Sequence, residues 1–155
     1  MLYIFNKKWF YLLILLALMP KILLGFDNNI YNNKLQIINA NNSKIITNFQ
    51  ISILKDSKSQ RKGLMYVTNL PSNYGALFDF KKEKIAKMWM KNTFIPLDML
   101  FIDKNDEIIK IVKNTKPLSQ DIISSKAKVA KILEINANIA DKFNIKIGDK
   151  IKITQ

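Results

Sequence analysis

Cysteine and histidine are both absent from this sequence. Without cysteine there is no disulfide framework, no thiol nucleophile, no zinc–thiolate site and no lipid-modified cysteine. Without histidine the chain lacks the commonest general base near neutral pH and the commonest metal ligand. Ser–His–Asp and Cys–His mechanisms are therefore excluded by inventory, and no metal or cofactor is expected. Negative charge is also scarce: 12 acidic residues face 25 basic ones, a formal net charge of +13. Arginine is scarcer still, since Arg61 is the one guanidinium in a chain that otherwise uses lysine. A single retained guanidinium suits a paired carboxylate or a bound anion, because its planar fork holds two oxygens at once.

Long apolar runs are rare too, with one exception. Lys7 and Lys8 precede Trp9–Met19, an apolar run of 11 residues, followed by Pro20 and Gly25. A spanning helix needs about 20 apolar residues, so the run fits a secretory signal better. The alternative is an uncleaved anchor with its basic end in the cytoplasm. Residues 1–25 are thus expected to be a signal peptide or N-terminal membrane anchor, and the remainder to be exported, facing outward in the periplasm or extracytoplasmic space. Residues 26–43 are Asn-rich and read as a linker, with a short strand possible at Leu35–Ile38. Residues 44–155 form the domain. Its lysines are scattered, with no aromatic-interleaved basic stripe, so nucleic acid is not an expected partner. Membrane contact is expected only through the N-terminal segment or as weak attraction to anionic lipid.

The domain is organised around Met88–Asp103. Pro96 removes a ladder donor and pushes Ile95 to an extended conformation, so a strand is predicted from Leu97. Leu97–Ile102 is apolar at five of six positions, which implies cover on both faces. Asp98 is the exception and needs solvent or a partner. Elsewhere Ile45–Leu54 alternates as a half-exposed strand. Asp56 or Ser57 is placed to cap a short helix carrying Arg61 through Ser59–Tyr66. Ala76–Phe80 reads as a short strand and Lys81–Lys84 as a charged turn. Asp103–Asp106 turns into a second hairpin arm, Glu107–Lys113, and Asn114–Lys126 reads as a long loop. Lys128–Ile135 is a further strand, with Asn136 as cap of a short helix Ala137–Phe143 and a last strand from Lys150. The predicted fold is mainly β: one barrel or sandwich, jelly-roll-like, with one or two short helices.

Six words occur in order: GLM at Gly63–Met65, GALF at Gly75–Phe78, WMKNT at Trp89–Thr93, PLDMLFID at Pro96–Asp103, LE at Leu133–Glu134 and GD at Gly148–Asp149. Together they resemble the family called domain of unknown function 192, over roughly residues 45 to 153. The resemblance implies a small β-rich domain, often exported, with no established activity. Lys62 stands where that family usually has Arg, Ala76 where Met is common, and Asn136–Asn138 where a Gly is usual.

The candidate site combines Arg61, Trp89, Lys91, Asn92, Thr93, Asp98 and Glu134. An indole face with amide and charged groups is the mixture that holds a sugar ring and its hydroxyls. The competing structural reading makes Trp89 core, Asn92 and Thr93 turn residues, and Asp98 an ion-pair partner of Arg61 or Lys91. Two functions follow: a non-catalytic binding module for an envelope glycan, oligosaccharide or envelope protein, and a carboxylate-dependent hydrolase of glycosidase type using Asp98 and Glu134. The second requires the two carboxyls to flank one bond, about 5–9 Å apart.

Overall fold

The computed structural model describes residues 30–154; the expected leader, and the first residues of the expected linker, lie outside the described residues. Seven strands form one sheet: β1 (Asn33–Ile38), β2 (Ile45–Leu54), β3 (Tyr74–Met88), β4 (Leu97–Ile102), β5 (Ile108–Val112), β6 (Ile123–Asn136) and β7 (Lys150–Thr154). Two short helices accompany them, α1 (Ser57–Lys62) and α2 (Ile139–Lys142). The spatial order is β5-β4-β6-β3-β2-β1-β7, antiparallel throughout except for the parallel pair β2–β3. The sheet curls until its edges touch: Glu107 bridges to Lys150, and the Ile108 amide donates to the Asp149 carbonyl at 2.8 Å. The expected β-dominated fold with two short helices is the observed one.

Curling gives the sheet an inside and an outside, and both are apolar where they need to be. The inner cluster draws on every strand and on α2, including Leu35, Phe49, Leu77, Leu100, Ile108, Leu133 and Ile151. The outer cluster lies on β3, β4 and β6 under the β2–β3 connection, with Leu64, Phe78, Met90, Met99, Phe101 and Ile132. Because β4 is central to both clusters, all six of its residues are buried. The apolar run of β4 therefore means what its pattern implied, cover on two faces.

Local chemistry sets the boundaries. Asp56 caps α1, its Oδ1 accepting from the Lys58 and Ser59 amides at 2.9 Å each. The Asp103 carboxylate closes the β4–β5 turn by accepting from the Asn105 and Glu107 amides. α1 stops at Lys62 because Gly63 takes φ +46°, short of the expected Tyr66. The segment expected as linker carries β1, hydrogen-bonded between β2 and β7. The expected charged turn at Lys81–Lys84 lies instead within β3, which runs unbroken from Tyr74 to Met88. Its pairing with β6 skips between Asp79 and Lys84, so the lysines swing out on a bulge without ending the strand. β6 begins at Ile123, inside the expected loop, and α2 is preceded by Asn138 in the left-handed region, with Asn136 completing β6.

Candidate functional site

Three carboxylic acids are buried in this domain, and their surroundings differ. Asp98 is fully buried on the inward face of β4; its Oδ1 accepts from the Asn114 amide and its Oδ2 from the Ala140 amide, both at 2.9 Å. It thereby ties the loop after β5 and the start of α2 to the central strand. Asp149 does the same at the sheet edge, accepting from the Ala40 amide at 3.1 Å and the Lys146 amide at 2.8 Å. Both acids belong to the scaffold.

Glu134 is the third, and it has no such clamp. It points to the outer face of β6, between Ala76 of β3 and Met99 of β4 in register, and is 4% exposed. Among the described residues no amide, hydroxyl or cation bonds to its carboxyl, whose oxygens open onto a cleft. Burial raises the Glu134 carboxyl from its ordinary 4.5 to about 8, so at neutral pH it keeps its proton and is a hydrogen-bond donor. Such a group costs stability unless something else repays it.

The cleft above Glu134 has a volume of about 330 Å³, within the range of small-ligand sites. Its roof is α1 and the turn that follows, and its walls are Phe78, Phe80, Met88 and Trp89. Trp89 is 42% exposed, so its indole is open to solvent at the cleft wall. Arg61, Lys62, Lys84 and Lys87 line the hollow, and Glu134 is its only acid among the described residues. Neither of the two ion pairs among the described residues, Lys113–Asp141 and Lys131–Asp106, involves these cations. Gly63 makes the roof fit: a methyl group there would stand 3.0 Å from Phe78 Cζ and 3.7 Å from Glu134 Oε2.

Amide side chains hold the roof down. Gln60 Nε2 donates to the Leu54 and Asp79 carbonyls, both at 3.0 Å. Asn136 Nδ2 donates to the Leu70 carbonyl at 2.6 Å. Asn92, at φ +56°, donates from Nδ2 to the Tyr66 hydroxyl at 2.8 Å and accepts the Tyr66 amide on its own carbonyl at the same distance. A second, larger hollow of about 710 Å³ lies across the roof turn, lined largely by apolar groups such as Tyr31, Leu54, Leu64 and Val67.

The seven candidate residues thus separate. Arg61, Trp89, Thr93 and Glu134 line the cleft together. Lys91 stands beside it, its Nζ 5.5 Å from the Trp89 ring centre. Asn92 acts on the roof. Asp98 is removed from the site altogether: it faces the inner core, with main-chain amides as its partners in place of the expected Arg61 or Lys91. Asp98 and Glu134 lie on opposite faces of the sheet and cannot flank one bond, which corrects the paired-carboxylate expectation. Gly63, Phe80, Lys84 and Lys87 were missed. The GLM word points to Gly63, whereas Lys84 reads as part of a charged turn in the sequence and so shows no face.

Residues 37–153 match the model of the family domain of unknown function 192, described as "Uncharacterized ACR", and the chain belongs to that family. Among solved structures it is similar to a protein from Sinorhizobium meliloti described as a "putative transcription regulator", at 33% identity and TM-score 0.74, over 77% of this chain and 92% of that one. It is also similar to a protein of unknown function from Novosphingobium aromaticivorans, at 29% identity and TM-score 0.72, over 77% of this chain and 83% of that one. No curated protein matches the chain.

Proposed function

We propose that this chain is an exported, non-catalytic binding module of the cell envelope, and that the Glu134 cleft holds an oligosaccharide or a segment of envelope glycan. The observation that carries the reading is Glu134 itself: a carboxyl 4% exposed, without a hydrogen-bond or ion-pair partner among the described residues, facing an open hollow beside an exposed indole. Trp89 supplies a stacking face for a sugar ring, and the protonated Glu134 a donor to ring or hydroxyl oxygen. A two-carboxylate hydrolysis lacks its second acid, which favours binding over turnover. Export rests on the basic start and the apolar run Trp9–Met19. A regulator of transcription, as the Sinorhizobium protein is described, asks for a continuous basic face; here four cations line a small hollow, and the lysines are scattered along the sequence without an aromatic-interleaved stripe.

Titration with peptidoglycan fragments is expected to shift the tryptophan emission of the full chain, with the shift abolished in Trp89→Phe, which retains Trp9. No shift and no heat of binding across a panel of envelope saccharides would remove the glycan reading. An envelope protein is the second reading, favoured by the half-exposed Tyr66 and Phe94, stacked edge to face at 6.1 Å beside the roof. Export is checked separately: an alkaline phosphatase fused after residue 155 is expected to be active, and an inactive fusion with intact protein would exclude it.

A further inference from the structure

We infer that the ligand of this cleft carries an oxyanion, a carboxylate or a phosphate, seated between the Glu134 carboxyl on the floor and the Arg61, Lys62, Lys84 and Lys87 cations that line the hollow. The inference rests on the binding reading above and narrows its ligand class.

The charged and acidic side chains around this hollow are matched to acceptors. Four cations line it without an acid partner among the described residues; Lys84 Nζ instead lies 3.9 Å from the Phe80 ring centre. A buried carboxyl in contact with a cation would be drawn into an ion pair and held ionised. Glu134 is not: desolvation dominates its environment, and at neutral pH its O–H is one more donor. A neutral sugar brings hydroxyl donors as well as acceptors, and the cleft has no ionised acid to receive them. An oxyanion brings acceptors alone. It would take the Glu134 proton in a charge-assisted hydrogen bond and meet the fork of Arg61 or the ammonium groups of the lysines. The hollow's size admits one sugar unit or an acidic substituent, so a polymer would present a terminal or pendant group.

The ionisable groups that line the hollow together with Glu134 are basic among the described residues. Arg61 and Lys62 come from the roof and Lys84 and Lys87 from β3, while Met99 of β4 and Thr93 of the turn are uncharged. Ionising the floor places a negative charge under a bound anion, so anion affinity falls as Glu134 loses its proton.

Calorimetric titration of the full chain with three sugars of one ring type tests this: N-acetylglucosamine, N-acetylmuramic acid and N-acetylglucosamine 6-phosphate. At pH 7 and low salt, at least one of the two acidic sugars is expected to bind tenfold or more tightly than the neutral one, and the ratio between them identifies carboxylate or phosphate as the anion. Arg61→Gln with Lys84→Gln, both exposed positions, is expected to erase that preference while leaving the melting profile intact. Raising the pH from 7 to 9 is expected to weaken acidic-sugar binding about tenfold in the parent and not in Glu134→Gln, which controls for every other titration. Equal binding of all three sugars would overturn the inference and leave the glycan reading standing. Binding of inorganic phosphate at the cleft with no sugar bound would support the oxyanion site and defeat the glycan reading. Binding of neither the acidic sugars nor inorganic phosphate would overturn the inference.

Discussion

At the scale of single residues, the contrast among the three buried acids is what singles out the cleft. Asp98 and Asp149 each accept two main-chain amides, whereas Glu134 accepts none. Asp98→Asn turns an acceptor into a donor facing an amide N–H, and is expected to cost about 1–3 kcal/mol in denaturant unfolding with ligand binding at the cleft unchanged. Glu134 carries the opposite expectation. The unfolded chain releases this proton near 4.5 and the folded chain near 8. Between those values the folded state holds one proton more, so the stability of the free protein falls as pH rises through that window. The full loss is on the order of 5 kcal/mol and is complete above about 8. Glu134→Gln is expected to flatten the profile between pH 5 and 8, as urea midpoints at a series of pH values will measure. The sequence shows that Asp98 needs a partner but not which one, because Asn114, in the loop after β5, and Ala140, in α2, are both distant in the chain. The exposure of Trp89 was equally illegible, since an aromatic beside apolar residues reads the same in core and in cleft wall.

At the scale of elements, the site is a product of connection length. β2 and β3 are the one parallel pair, and parallel neighbours cannot be joined by a tight turn. Residues 55–73 make the crossing, and on their way over the outer face they become the roof. Gly75, where that crossing ends, lies so close to β6 that a methyl group would stand 2.7 Å from the Glu134 carbonyl oxygen. Gly75→Ala is expected to lower stability by about 1–3 kcal/mol, since backbone must shift to admit it, seen as a lower melting temperature. Gly63→Ala strains a positive φ and intrudes above the carboxyl, so it is expected to weaken ligand binding as well. The cap at Asp56 and the break at Pro96 were legible because both act within a few residues. The roof was not: a Pro-, Asn- and Gly-containing loop announces a turn but not the face it crosses. The bulge in β3 was hidden for a related reason, as a lysine cluster resembles a turn unless a partner strand carries the ladder past it.

For the whole molecule, the decisive feature is that the sheet's two edges meet. Gly148 donates its amide to the Ile108 carbonyl at 2.8 Å, and Ile151 donates to Asp106 at 2.9 Å, so the last strand is held against the second hairpin. Asp149 fastens the same corner to the β1–β2 turn. Asp149→Ala is expected to speed amide exchange at Ala40 and Lys146 together, whereas a local effect would touch Lys146 alone. The family words had marked the GD corner without saying that it joins opposite ends of the sheet, because closure is a property of strand order and not of any one strand.

The division of labour between a closed frame and a bridging segment has one further outcome. The frame's hydrogen-bonded strands need nothing from residues 57–69 for their own pairing, while the chamber takes much of its lining from that stretch. Substitutions in that stretch are therefore expected to reshape the chamber without disturbing the strand ladder, as a lock can be recut without rebuilding the door.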